Sequence, residues 1–447
     1  MPPIHCLQPG APTLTGSAGL DEKFILQTAI RSGFMRRMPR KIDPNAFFAA
    51  LCKEAIQGSP SYNDLAARIE SDSGSSASRQ AMARRMTEAC HHFLHGLLEQ
   101  AMASKAVAPP AGSGSSLELR RLYPRIVVSD STVIKLPLRL FDEFSGVANA
   151  HRSVCNARIQ AAYDLVAMRF LSFSIDPYSK NDLKSAPELE IKTGDLVLRD
   201  RGYLATAEIQ RHVDAGADCI YRHKSNIPYL NAATSLPLDL LAYLRQHGRA
   251  DMQVRLNNAS RTPVRLVAAP VNQATADLRR MRAKKEAVGH APSQAVLALM
   301  SWTIFITTIP PEKASFETVL ALYGLRWRIE VIFKSWKTHL RFGAIHQVSK
   351  VQLRVLLKTR LLLIAVWAHT LYAPWHQRLR HEHGRELSLM KFTGWLKRNP
   401  ARAAELHACL LNSTPDTGIA RVLARYCCYD KRKRQNFQQT YDALTLS

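Results

Sequence analysis

Residues 316–340 read FETVLALYGLRWRIEVIFKSWKTHL. The pattern predicts one helix. At about 100° per residue, Arg326, Glu330 and Lys337 lie roughly −60°, −20° and −40° from Tyr323. Four polar side chains therefore share one arc. Leu325, Ile329, Ile332, Phe333 and Trp336 fill the adjoining arc, which should face a core. A polar arc beside the core stripe, rather than opposite it, lines a cleft instead of a solvated face. Residues 321–360 carry nine Lys/Arg and one acid, Glu330. That acid suits two roles. It can pair with Arg326, Lys334 or Lys337, or it can be one of several carboxylates holding a hard cation beside phosphate-binding bases.

Working outward, residues 302–308 (WTIFITT) form a strand signal before Pro310-Pro311. Further strand-type runs occur at 126–128, 159–168, 170–175, 196–198 and 219–221, with a helical pattern at 204–215. Asp130 closes the first run and Asp200 closes the run Leu196-Val197-Leu198-Arg199, leading into Arg201-Gly202-Tyr203. A carboxylate at a strand end is rigidly held yet opens onto a cleft. Either aspartate alone equally suits a turn or helix cap. Asp195 begins the strand that Asp200 ends, so it belongs to the other end of the sheet.

The chain has 447 residues, enough for two to four domains. Its formal charge of +25 favours polyanionic partners, above all nucleic acid. No apolar run reaches the roughly 18 residues that a membrane span needs, and residues 361–372 read as a buried helix. The N-terminus lacks signal-peptide features. Eight cysteines without a CxxC pair read as reduced core thiols in a cytoplasmic protein.

Residues 1–20 are expected to be disordered, 21–107 to form a helical DNA-binding domain, and 108–117 (rich in Pro, Gly, Ser and Ala) to be a linker. A catalytic domain follows over 118–345, with a mostly β insertion at about 224–300, and then a helical region over 346–447. In the first domain, a short helix at 60–69, a turn at 71–76 and a second helix from Ser78 to His92 are compatible with a helix-turn-helix or with a plain bundle. The second helix carries Arg79, Arg84 and Arg85 as candidate DNA contacts. Cys90-His91-His92-x2-His95 lacks the companion pair of a zinc site. The basic run at 279–285 reads as a DNA-facing or merely solvated loop, and Arg425 with Lys431, Arg432, Lys433 and Arg434 as a second phosphate-seeking cluster.

Tyr323-x2-Arg326-x3-Glu330-x6-Lys337 resembles the Y-R-E-K signature of the insertion sequence 4 family of DDE transposases. Asp130-Ser131-Thr132 and Asp200-Arg201-Gly202-Tyr203 resemble that family's two aspartate motifs, and the likeness spans about residues 25–345. The resemblance implies an α/β catalytic core of RNase H-like fold interrupted by the insertion, with an all-α N-terminal DNA-binding domain and a helical C-terminal region. The 130 residues between Asp200 and Glu330 leave room for the insertion. It also implies that Asp130, Asp200 and Glu330 hold two Mg²⁺ (or Mn²⁺). Tyr323, Arg326 and Lys337 would grip phosphates of the transposon end, with Lys334 a further DNA contact. Trp302, where it is not simply core, would stack on a flipped base. Trp327 reads as packing or backbone support rather than chemistry. The implied activity is cleavage at transposon ends and 3′-OH strand transfer by a homodimer on inverted-repeat ends and target DNA, in the cytoplasm of a bacterium. A metal-dependent nuclease without strand transfer and a non-catalytic DNA-binding relic are the competing readings.

Overall fold

The apolar, β-branched runs between residues 126 and 307 assemble into one nine-stranded sheet in the computed structural model, which describes residues 18–37, 42–104, 123–146, 153–186, 189–287, 291–346, 348–411 and 418–430. The strands are β1 (Ile126–Lys135), β2 (Asn156–Asp164), β3 (Arg169–Pro177), β4 (Leu196–Arg199), β5 (Asp218–Arg222), β6 (Tyr229–Asn231), β7 (Ala250–Leu256), β8 (Pro263–Pro270) and β9 (Trp302–Thr307). Their order is β3-β2-β1-β4-β5-β9-β8-β7-β6. β1 pairs antiparallel with β2, and β2 with β3; β1, β4 and β5 are mutually parallel. β9 returns antiparallel beside β5 and carries β8, β7 and β6 outward.

Among the described residues, five helices precede the sheet: α1 (Glu22–Arg31), α2 (Pro44–Gln57), α3 (Tyr62–Ser73), α4 (Arg79–Arg85) and α5 (Glu88–Ala103). The expected second helix from Ser78 to His92 is two helices. Thr87 adopts an extended backbone and its Oγ1 accepts from the Cys90 N–H, starting α5 afresh. The first helix outruns its expected end, because a Ser61/Asp64 capping box starts it and Gly74 in the left-handed region closes it after Ser73. The linker at 108–117, most of the N-terminal segment 1–20 and the cations Lys431 to Arg434 lie outside the described residues.

Short α6 (Asp182–Ser185) and α7 (Thr206–Asp214) flank β4, while α8 (Leu240–His247), α9 (Gln273–Glu286) and α10 (Gln294–Leu299) lie within 224–300. Residues 224–300 are therefore mixed rather than mostly β, and their strands extend the main sheet. The basic run at 279–285 lies on α9, not on a loop. Its Ala, Leu, Met, Arg and Lys residues are strong helix formers, and the Asn272 side chain caps the start by accepting from the Thr275 N–H.

The expected single helix at 316–340 is α11 (Phe316–Gly324) followed by α12 (Trp327–His339). At the joint, the N–H groups of Leu325, Arg326, Arg328 and Ile329 donate to the carbonyl three residues back, at 3.0–3.2 Å. This tightened turn follows Gly324, the weakest helix former in the segment. Beyond it come α13 (Lys350–Trp367), a π turn (Ala368–Tyr372), α14 (Ala373–His383), α15 (Leu389–Arg398), α16 (Arg402–Leu410) and α17 (Ile419–Tyr426). No helix among the described residues is long and apolar enough to cross a membrane.

Strand alternation sorts the sheet's two faces. Ile126, Val128, Leu196 and Leu198 enter the larger core with Leu325, Ile329, Ile332, Phe333 and Trp336. Val127 and Val197 enter a second core with Tyr203, Ile209 and Tyr221. The apolar arc read from residues 316–340 thus covers one face of β1 and β4. The described cysteines are free, and all but Cys52 are buried.

Candidate active site

Asp130 does not end β1, as the sequence pattern suggested. The strand runs on to Lys135 against β2, with Asp130 opposite Ala161. What ends there is the other ladder: β1 and β4 pair only as far as Ser129 and Arg199. Asp130 and Asp200 are the next residues on the two parallel strands. They share the parity of Val128 and Leu198, which places them on the face covered by α12. Asp195, at the other end of β4, is buried and bonded to Arg125 and to the Lys192 N–H, outside this site.

The α11–α12 joint closes the cluster. Arg326 donates from Nη1 to Asp130 Oδ2 at 2.9 Å and from Nη2 to Glu330 Oε1 at 2.6 Å. The Tyr323 hydroxyl donates to Asp200 Oδ1 at 3.3 Å. Glu330 is therefore both the ion-pair partner that its basic surroundings suggested and a member of an acidic cluster. Burial pushes the Asp130 carboxyl up to about 6; Arg326 and the Ser131 N–H pull it down, and Glu330 and Asp200 push it further up. Burial likewise raises the Tyr323 phenol, so it acts here as a hydrogen-bond donor.

Three convergent carboxylates with only one arginine among them suit a hard, oxygen-seeking divalent cation. Arg326 lies between Asp130 and Glu330 and bridges them. Among the described residues, only Glu88, His91 and His92 bring their ligand atoms all within 4.8 Å of one another. That group makes a poor cation site: Arg354 donates to Glu88 at 3.0 Å, and Lys358 and Arg354 both disfavour positive charge at His91.

Beside the acids opens a cleft of about 330 Å³, lined by Arg201, Gly202, Arg222, His223, Lys224, Arg279 and Trp302. Arg201 follows Asp200 directly, and Arg222 ends β5, whose C-terminal end lies beside that of β4. Arg201 belongs to the second aspartate motif read from the sequence, whereas Arg222 and Lys224 carry no motif there. The signal for Arg222 was available, since it closes the strand parallel to the one Asp200 closes. Trp302 donates from Nε1 to the Gly248 carbonyl at 2.7 Å, and Arg279 donates to the Trp302 carbonyl at 3.0 Å. Its ring is anchored at the cleft wall and packs partly on the second core.

Lys334 and Lys337 are exposed on α12. Trp327 is 65% exposed, so it is not a packing residue; the tight joint turns it outward from the core that Ile329 enters. Arg79 and Arg84 are exposed on α4, while Arg85 is partly buried and donates to its own helix at the Ala81 carbonyl.

Residues 123–366 match the family described as "Transposase DDE domain". The chain is similar to the transposase for insertion sequence element IS231C of Bacillus thuringiensis subsp. berliner, 23% identical over 403 residues, covering 85% of this chain and 83% of the relative. Similarity to the putative transposase InsL for insertion sequence element IS186A of Escherichia coli (strain K12) is 24% identity over 337 residues, 72% of this chain and 83% of that one. A piggyBac transposase synaptic complex with hairpin DNA, solved by cryo-EM, aligns with 98% of this chain and 89% of its own at 11% identity and a TM-score of 0.45.

Proposed function

The chain belongs to the DDE transposase domain family, and from that premise we propose a cut-and-paste reaction in which Asp130, Asp200 and Glu330 are the three catalytic acids. The enzyme is a DNA transposase; its substrates here are inverted-repeat transposon ends and then target DNA. The observation that carries the assignment is the convergence on one face: Arg326 joins Asp130 to Glu330, and Tyr323 reaches Asp200. The strand order β3-β2-β1-β4-β5, antiparallel then parallel, supports an RNase H-like core. The spacing Tyr323, Arg326, Glu330, Lys337 supports membership of the insertion sequence 4 group.

The three carboxylates would hold two Mg²⁺ or Mn²⁺, which when bound activate the attacking oxygen and neutralise charge on the phosphate. Arg326 and Tyr323 have a second task once DNA is present. A guanidinium is a bidentate phosphate partner and a phenol a single donor, so both would suit the scissile phosphate. Arg201, Arg222 and Lys224 line the path along which the strand continues. Trp302 offers an aromatic face in that cleft for an unstacked base. Lys334, Lys337, Arg79, Arg84 and Arg85 contact backbone phosphate and position the duplex. Two copies of the chain act on two paired ends, in the cytoplasm on nucleoid DNA. Water attacks first and frees a 3′-OH, which then attacks the target; no side chain forms a covalent bond with DNA.

The test is cleavage and joining of end DNA in Mg²⁺ by wild type beside Asp130→Ala, Asp200→Ala and Glu330→Ala. Each variant should bind ends and fail to cut. Cutting by any of the three would remove that residue from the catalytic set.

A further inference from the structure

The ladder between β1 and β4 brings Asp130 and Asp200 side by side but stops one residue short of both, so the ladder alone does not fix their final spacing. A second connection does so from the opposite face of the sheet. Ser131, next to Asp130, donates from Oγ to Asp182 Oδ1 at 2.7 Å. The Asp182 carbonyl accepts from Gln160 Nε2 at 2.7 Å, and Gln160 Oε1 accepts from the Tyr203 hydroxyl at 2.9 Å. Tyr203 closes the turn that begins at Asp200. A chain of three hydrogen bonds therefore runs from the residue after the first aspartate to the third residue after the second.

We infer that Asp182 is a positioning residue, whose place between Ser131 and the Gln160–Tyr203 pair sets the spacing of the two catalytic aspartates. The inference rests on the reading of Asp130 and Asp200 as the metal-holding acids. Gln160 and Tyr203 are 1% and 2% exposed, so their hydrogen bonds lie out of competition with water. Arg158, also buried, donates to Asp182 Oδ1 and to Ser131 Oγ. Its charge offsets that of Asp182, which leaves Asp182 a structural anchor rather than a fourth metal carboxylate. α6 itself is tied down at both ends: Asn181 accepts from the Lys184 N–H, and the Ser185 carbonyl accepts from Ser174 Oγ.

The same arrangement accounts for Gly202. A Cβ there would lie 3.3 Å from Asp182 Oδ2, closer than ordinary contact, so a side chain would press on the Asp182 carboxylate and shift it by a few tenths of an ångström. Gly202 has no need of a left-handed backbone; the approach of Asp182 is what favours a small residue there.

The test uses the full chain with end DNA, comparing wild type with Asp182→Ala, Asp182→Asn, Tyr203→Phe and the control Asp130→Ala. Three quantities are read: end-DNA affinity in EDTA, Mn²⁺ affinity of the DNA complex by electron paramagnetic resonance, and single-turnover cleavage in Mg²⁺. Groups that orient metal ligands typically change metal affinity or activity by about 10–100-fold. Asp182→Ala and Tyr203→Phe should bind ends like wild type, bind Mn²⁺ about tenfold more weakly and cleave about 100-fold more slowly. Asp182→Asn, which keeps an acceptor for Ser131, should recover most of the loss. Wild-type Mn²⁺ affinity and cleavage in Tyr203→Phe, which removes one oxygen and leaves the core filled, would overturn the inference even if Asp182→Ala does not fold. Equal loss of end binding and cleavage in both variants would also overturn it, as the mark of a merely structural contact. If Asp130→Ala itself retains Mn²⁺ binding and cleavage, the assignment of the acids fails and the clamp with it. A dead Asp130→Ala beside normal clamp variants sinks the clamp alone.

Discussion

Arg326 Nη1 lies 2.9 Å from Asp130 Oδ2, an ion pair between residues 196 positions apart in the chain. Their side chains are 12% and 22% exposed, and the guanidinium also holds Glu330. The arginine keeps two carboxylates from facing each other unneutralised, the task a divalent cation would take over under the proposed function.

Removing it should destabilise the metal-free protein. Breaking a buried pair typically costs about 3–5 kcal/mol. Glu330 is more than a third exposed, so solvent screening lowers the expected cost of Arg326→Ala to roughly 2 kcal/mol. Mg²⁺ should raise the Tm of the variant more than that of wild type, because the cation replaces the missing charge. Equal Tm shifts on adding Mg²⁺ would contradict the bridging role.

Acid should unfold the protein through its buried imidazoles. Burial, then Arg199 and Arg211, hold His212 at about 3; burial holds His369 at about 4, although its bond to the Ala101 carbonyl opposes the shift. Both values lie below the unfolded value near 6.5, so the unfolded chain binds protons that the folded one refuses. The resulting stability is complete above pH ~6.5 and is lost as pH falls towards 4, by up to roughly 3 kcal/mol for each group. Urea melts from pH 7 to pH 4 should show this slope, and His369→Gln should flatten it. A slope unchanged in the variant would mean that other groups carry it.

Arg360 is 2% exposed and donates to four carbonyls, those of Ala55, Gly58, Phe342 and Ala344. It ties α13 to the end of α2 and to the segment after α12. Burial lowers its pKa to about 10, so the group stays charged at neutral pH. Arg360→Met should cost about 3 kcal/mol by orphaning those carbonyls. Arg360→Lys should rescue little, since one ammonium cannot span the same fork. Chemical denaturation of the two variants measures both.

Lys337 is exposed on α12, where a phosphate contact would add to affinity without reading bases. Lys337→Ala should weaken binding to end and random DNA alike and reduce the salt slope of log K by about 0.9, one phosphate's worth on B-DNA. A loss confined to the end sequence would instead place Lys337 at a base edge.

Much of this architecture was legible in local pattern. The strand runs at 126–128 and 196–198, the apolar stripe of Ile329, Ile332, Phe333 and Trp336, and the placement of Asp195 away from the site all follow from periodicity. The misses have local causes too. A helical wheel cannot see the tight joint after Gly324, and a run of cations at 279–285 looks like a loop until the helix propensity of its residues is weighed. Asp130 looked like a strand end because its polar neighbours hide the continuation against β2.

Sequence by itself determined the elements and the chemistry on offer. Side-chain shape and alternation choose helix or strand, and the spacing of Tyr323, Arg326, Glu330 and Lys337 marks one helical segment as special. Tertiary structure decided which of those groups meet. Asp130, Asp200 and Glu330 come together only because β1 and β4 lie parallel in one register and α12 crosses their face. Trp302 turns to the cleft because its N–H is held by Gly248. Asp182 was invisible in the pattern, since its partners Ser131, Arg158 and Gln160 come from two other strands. Local stereochemistry acts over a few residues; contacts across 50 to 200 residues exist only once a sheet has fixed the register that carries them.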